Sequence, residues 1–457
     1  MKRLLSLILA GGIAAALLGV HAALAATPVT LSAAQANEIS TSYHYLISEF
    51  YKRVDDQQVL NGAQAGLVDS LGKHHVTGKI PSFHASNDEA NVRAIELEVE
   101  DAQRAAGKRV SGTDLTYAAI SGMLNAVHDR YTVFLDPKDY AELNTGLDGS
   151  DFGGTGIVIQ EDDASKYIAV SDVVPNGPAD KAGIEQDDLI TAIDGQSTKG
   201  WTVDRASAHL RGKEGTKVSI TVQRDGKTLS PYALTRAKIH QMSVFDKILP
   251  GTAGNPSIGY VALTVFGKDT SSELTAALER LQKKGARAFI LDLRNNGGGY
   301  LNAAVGVSSK FISSGPIVSV ESRGSNITTL EANDTAIVPL PLAVLVNQFT
   351  ASASEITSGA IQDSGVGTLV GTKTFGKGVV QTIYPLPDGS AVKITTARYL
   401  TPHNRDINHL GINPDIVVSE PRSARFGDPK SDPQLRRAMQ FVNDRIAHLA
   451  QINGGAE

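Results

Sequence analysis

Hydrophobic periodicity changes character twice along this chain, and those changes limit the fold more than any single motif. From about residue 31 to 135 apolar residues recur near helical spacing: Ile39, Tyr43, Leu46, Ile47, Phe50 and Tyr51 in one set, Leu115, Ala119, Met123 and Val127 in another. A polar interval over 72–112, with Gly72, Gly78, Pro81 and a charged helix-like run from Asn91 to Arg104, separates them. From about 150 to 237 short strands and turns take over, and from 256 to 420 strand and helix patterns alternate, which indicates an α/β core. Within that core Ser257 to Phe266 reads as a strand. Thr270-Ser271-Ser272-Glu273 reads as a capping box opening a helix with Leu274, Ala277, Leu278 and Leu281 on one face. Asp432-Pro433 starts a last helix whose Leu435, Met439, Val442, Ile446 and Leu449 share a face that must pack on the protein or on a second subunit.

With 457 residues and 41% hydrophobic content there is chain for about three domains. There is no cysteine, so packing alone must hold the fold, and thiol catalysis and thiolate metal sites are excluded. A net charge of −5 without basic clusters gives no electrostatic reason to expect nucleic acid. Met1-Lys2-Arg3, an apolar stretch through Val20 and Ala23-Leu24-Ala25 form a secretory leader over 1–25 that predicts export, most simply to the periplasm. An uncleaved membrane anchor is the alternative, weakened by Gly11 and Gly12 inside the stretch and the lack of a basic stop after it. His74, His75 and His84 have no partner at ligand spacing, so they read as a solvated loop, and neither metal nor other cofactor is expected.

The chemistry sits between residues 342 and 381. The apolar run Leu342-Ala343-Val344-Leu345-Val346, then Phe349-Thr350-Ala351-Ser352-Ala353-Ser354-Glu355 and Ile356 to Ile361, reads as strand, sharp turn and helix. Ser352 then stands at a helix N-terminus, where free N–H groups and the helix dipole suit an oxyanion formed when its hydroxyl attacks a carbonyl. A serine needs a base. Lys377, between Gly376 and Gly378 in apolar sequence, is the candidate, since burial can lower a lysine pKa by several units. The plain alternative is a capping serine and a surface lysine in a turn.

Several further stretches carry a family resemblance. They are Ile258-Gly259-Tyr260-Val261, Leu291-Asp292-Leu293-Arg294-Asn295-Asn296-Gly297-Gly298-Gly299, Thr374 to Gln381, Ala397-Arg398-Tyr399-Leu400-Thr401-Pro402 and Gly411-Ile412-Asn413-Pro414-Asp415. With the Ser-Ala-Ser-Glu segment, the set resembles the carboxyl-terminal processing (tail-specific) serine peptidases over roughly 115–440. Phe152 to Ile159, Val173 to Ala179, Asp187 to Gly195 and Val218 to Val222 resemble a PDZ domain. The resemblance implies a multidomain α/β protein with a helical N-terminal region, a PDZ-like β/α domain and a peptidase core of the crotonase/tail-specific protease fold. The expected boundaries are 1–25, 26–137, 138–237, 238–420 and a linker with C-terminal helix over 421–457. It implies nucleophile Ser352, base Lys377, a supporting Gln381, and oxyanion donors from Ala353 N–H and the Gly298 region. It also implies a carboxylate-binding loop of Gly153, Gly154, Thr155, Gly156 and Ile157. Gly297, at a position often proline, and His403-Asn404-Arg405, in place of a glycine-containing turn, depart from the pattern. In a straight strand Gln381 would lie about 13 Å from Lys377, so it can orient the lysine only if the chain bends near Gly378.

The expected partners are protein or peptide substrates with free C-termini. A homo-oligomer and an activating partner protein stay open. For residues 27–70 the stripe Tyr43, Leu46, Ile47 and Phe50 suggests either a subunit contact or an intramolecular bundle. A phosphate loop at Gly371 to Gly378 fails at Gly378, a Ser-His-Asp set lacks G-x-S-x-G around Ser352, and H-E-x-x-H is absent. A non-catalytic PDZ scaffold that retains the peptidase fold is the remaining alternative.

Overall fold

In a computed structural model, the described residues are 30–454 apart from 150, 163, 175, 241, 251–256, 325–326, 338–339 and 421–425. The expected leader lies outside them. No described helix is long and apolar enough to cross a membrane.

Four helices open the described residues: Ala33–Glu49, Asp56–Lys73, Asp88–Ala106 and Gly112–Asn125. Ser32, Asp55, Asn87 and Ser111 each accept a backbone N–H from the first turn of the helix that follows, which fixes all four starts. The polar interval therefore contains a full helix, whose buried face is Val92, Ile95, Val99 and Ala102. The second and fourth helices press backbone to backbone. A Cβ on Gly66 would meet Ala118 O at 2.2 Å and one on Gly122 would meet Gly62 O at 2.2 Å. The apolar stripe is consumed within the chain. Tyr43, Leu46 and Phe50 are buried in a cluster that includes Leu386, Val392 and Ile394 of the core. A stripe already covered gives no argument for a subunit contact.

Strands Ile157–Glu161, Ile168–Val173, Leu189–Ile193 and Lys217–Arg224 form the spine of a seven-stranded antiparallel sheet. It closes over Ile168, Val170, Ile190, Trp201 and Ile220. A two-stranded antiparallel ribbon, Asp151–Gly154 with Ala237–His240, joins it to the rest of the molecule.

The remaining strands build two sheets. Val244–Leu249, Ile258–Leu263, Ala288–Asp292, Leu342–Val346, Thr368–Gly371 and Ile416–Val417 form a six-stranded sheet, antiparallel at the first pair and parallel after it. The three middle helices Thr270–Lys283, Leu301–Ser308 and Ala353–Ser364 cover one face, and the C-terminal helix Pro433–Gly454 covers the other through Leu435, Ala438 and Val442. Arg294 ties that last helix down: its guanidinium donates to Asp292 at 2.6 Å and to Asp432 at 2.7 Å, with Gln434 at 3.0 Å. The second sheet pairs Ala391–Leu400 with Val379–Pro385, Pro316–Ser322 and Val133–Leu135, so a strand from the stretch read as helical enters the core. One capping expectation fails. The helix Thr270–Lys283 has Asp269 as N-cap without a side-chain cap, because Glu273 Oε2 instead accepts Ser243 N–H at 2.8 Å and the Ser243 hydroxyl at 2.7 Å.

Candidate active site

The strand Leu342–Val346 is wholly buried, and the turn after it is built by two side chains. Asn347 Oδ1 accepts Asn295 N–H at 3.0 Å and Phe349 N–H at 3.1 Å, while Thr350 Oγ1 accepts Asn347 N–H at 2.9 Å and donates to Leu293 O at 2.8 Å. The chain then reaches Ser352 with φ 56° and ψ −118°, a left-handed conformation that a non-glycine residue holds at a cost of about 1–3 kcal/mol. Helix Ala353–Ser364 follows. Ser352 is thus the N-cap, and Ala353 N–H is among the first amides of the helix, which have no intrahelical acceptor.

A carboxylate organises the site. Glu355 is buried, and its Oε2 accepts Ser352 N–H at 2.9 Å and Lys377 N–H at 2.9 Å. Its Oε1 accepts the Thr374 hydroxyl at 2.6 Å and Gly376 N–H at 2.7 Å. Burial raises its pKa and the four donors lower it. The Tyr399 hydroxyl lies 2.6 Å from Lys377 O and 3.1 Å from Ser352 O, so a second residue spans the same two positions. Neither Glu355 nor Tyr399 draws a role from its sequence motif alone. Acidic and phenolic groups in a hydrolase motif look like chemistry or surface, and only the fold shows them holding backbone.

Lys377 is drawn in by close backbone approach. A Cβ on Gly376, with φ 86°, would meet Gly411 N at 2.8 Å, and one on Gly378 would meet Asn408 N at 2.7 Å. Burial lowers the Lys377 pKa to about 8, aided by Lys393 and Arg130 and opposed by Glu355 and Asp129. Its Nζ lies 4.8 Å from the Tyr131 ring centroid.

The remaining expected site residues fall unevenly. Gly298, at φ 99°, touches the serine turn so closely that a Cβ there would meet Ala353 N at 2.8 Å and Ser352 Cβ at 2.9 Å. Its own N–H, however, donates to Asn296 Oδ1 at 2.9 Å and is not turned to a ligand. Asn296 is buried and joins the two loops, its carbonyl accepting Ala351 N–H at 3.0 Å and the Ser354 hydroxyl at 3.0 Å. Gln381 is not brought to Lys377 by a hydrogen bond among the described residues; its amide donates to Thr395 Oγ1 at 3.4 Å, beside a register shift at Val380/Gln381. In the expected carboxylate loop, Gly153 and Gly154 are committed to the two-stranded ribbon, so the turn proper is Thr155 and Gly156, with Ile157 opening the next strand. Thr155 is buried and its Oγ1 has no partner among the described residues.

This arrangement can carry nucleophilic acyl transfer: a hydroxyl on a strained backbone at a helix start, and an amine whose pKa burial lowers. Comparison with known proteins agrees. The model of peptidase family S41 matches residues 257–418, and the PDZ domain model matches 148–223. The carboxyl-terminal-processing protease of Picosynechococcus sp. is 38% identical over 74% of this chain and 82% of its own length. That of Synechocystis sp. is 37% identical over 73% and 78%. Among solved structures, the photosystem II D1 C-terminal processing protease aligns at 30% identity over 88% of this chain and 96% of its own, with a TM-score of 0.47.

Proposed function

Because the chain belongs to the carboxyl-terminal-processing proteases of peptidase family S41, serine-type enzymes with a PDZ domain, we propose that Ser352 and Lys377 are its nucleophile and general base. The reading is an exported endopeptidase that cleaves proteins near their C-termini. The neutral Lys377 amine takes the Ser352 proton as Oγ attacks the scissile carbonyl, and Ala353 N–H stabilises the oxyanion. The ammonium then protonates the leaving amine, and water, deprotonated by the same amine, hydrolyses the acyl-enzyme. The observation that carries this is the Lys377 side chain, half-buried and with its pKa lowered to about 8, on a backbone that Glu355 and Tyr399 both fasten to Ser352. At pH 7 about a tenth of such a lysine is neutral, against roughly one part in 2,500 for an unperturbed one.

Tail recognition by the PDZ domain is supported by the strand Ile157–Glu161, which among the described residues pairs only with Ile168–Val173 and leaves an edge for an added strand. The unpartnered Thr155 hydroxyl lies next to the turn where a terminal carboxylate would end. Export to the periplasm rests on the leader-like stretch over 1–25. Incubating the purified protein with an unstructured peptide bearing a free C-terminus tests the core of this reading. Cleavage that survives EDTA and disappears in Ser352→Ala supports it; full activity in Ser352→Ala would refute Ser352 as nucleophile, and no cleavage by the unmodified protein favours the non-catalytic scaffold. Equal cleavage of acid and amide peptides would refute tail recognition alone.

A further inference from the structure

The turn between the fourth N-terminal helix and the strand Val133–Leu135 belongs to the N-terminal region, yet it lies on the candidate base. Its conformation is fixed from both sides. Tyr131 N–H donates to Asp129 Oδ1 at 2.7 Å, and Thr132 Oγ1, fully buried, accepts Thr395 N–H at 3.1 Å. Four side chains then stack in a row. The Lys377 Nζ is 4.8 Å from the Tyr131 ring centroid, the Arg130 guanidinium is 4.7 Å from the same ring, and that guanidinium is 5.1 Å from the ring of Phe375. Arg130 also donates to the Tyr131 hydroxyl, which locks the tyrosine in place.

Resting on the dyad proposed above, we infer that this turn is a wall of the active site, with Tyr131 a positioning residue that shields the Lys377 amine from water and Arg130 the brace that holds it. Two effects oppose each other at the ring. A tyrosine face attracts an ammonium, worth about 0.5–2 kcal/mol, which favours the charged lysine. Excluding water disfavours it, and with Lys377 half-buried and its pKa lowered to about 8, exclusion dominates. Burial is the largest cause of the lowered Lys377 pKa, and Arg130 acts in the same sense. The other groups facing Lys377 are Glu355 from the helix Ala353–Ser364, Lys393 and Tyr399 from the strand Ala391–Leu400, and Asp129 from the turn itself. None of these can exclude water from the side that Tyr131 covers.

The test reads Lys377 twice. One measurement is the pH dependence of kcat/KM on an unstructured peptide with a free C-terminus. The other is the pH dependence of Lys377 acetylation by dilute acetic anhydride, read by mass spectrometry in a Ser352→Ala background, which needs no turnover. Tyr131→Ala is expected to move both half-points to higher pH by about one unit, since the amine regains water. Arg130→Gln should move them in the same direction by less, and Tyr131→Phe, which keeps the ring, should restore most of the wild-type position. Half-points unchanged in folded Tyr131→Ala would overturn the inference, as would Tyr131→Phe behaving like Tyr131→Ala. If the peptide is not cleaved at all, the dyad reading fails while the acetylation curve still decides the wall.

Discussion

At the scale of single residues, the site is held by groups that do no chemistry. Glu355 accepts four donors, two on each carboxyl oxygen, so the group must be oxygen-bearing on both sides. Glu355→Gln places an amide NH2 against backbone N–H groups. We expect kcat/KM to fall by about 10²-fold through misplacement of the nucleophile and base, with a loss of about 1–3 kcal/mol in stability by urea unfolding. Lys377→Arg keeps charge and bulk but cannot supply a neutral base near pH 7, and should lose about 10²- to 10⁴-fold in kcat/KM. An active Lys377→Arg enzyme would assign the base elsewhere. Ser352 and Lys377 were legible in the sequence because a small nucleophile after an apolar strand and a lysine between glycines are local patterns. Tyr131 was not, because its contact with Lys377 depends on how a remote strand enters the core.

At the scale of elements, periodicity recovered the helical N-terminal region, the strand-rich middle and the alternating core, and missed what depends on neighbours. The helix Asp88–Ala106 was readable as a charged helix-like run from Asn91 to Arg104, but not which of its polar groups go inside: Glu98 and Asn91 are buried with its apolar face. Glu98 carries a consequence for pH. Its Oε2 has no partner among the described residues, and burial raises its pKa from 4.5 to about 8. The folded protein therefore holds a proton that the unfolded chain has lost across that window, so this group's stabilising contribution is full below pH 4.5 and fades as pH rises to about 8. Glu98→Gln should raise the melting temperature at pH 8 and lose that advantage near pH 4.5. A pH-independent difference would mean that Glu98 has found a partner. The capping box expected at Thr270 failed for a related reason: Glu273 had a better acceptor role at Ser243, just before the strand Val244–Leu249, a neighbour that local sequence cannot see.

At the scale of the whole molecule, three parts of the chain converge on one sheet end. The N-terminal region supplies the Tyr131 turn and a strand, the core supplies the serine turn, and the C-terminal helix is fastened to the loop before Gly298 by the buried Arg294, Asp292 and Asp432 cluster. Asp432→Ala leaves Arg294 with one carboxylate fewer and the helix start uncapped, since Asp432 Oδ1 also accepts Leu435 N–H at 2.9 Å. A loss of about 3–5 kcal/mol in unfolding free energy is expected, and a loss below about 1 kcal/mol would show that the helix docks by its apolar face alone. Such long-range ties explain why domain order was readable from pattern while their mutual support was not. The central claim is that a desolvated Lys377 activates Ser352, and the pH dependence of kcat/KM on a peptide free of ionisable side chains tests it most directly. The account predicts a rate that rises with pH to a half-point near 8, where the Lys377 amine loses its proton, and then levels. A half-point near 6.5, the histidine range, or a flat profile from pH 6 to 9 would contradict it.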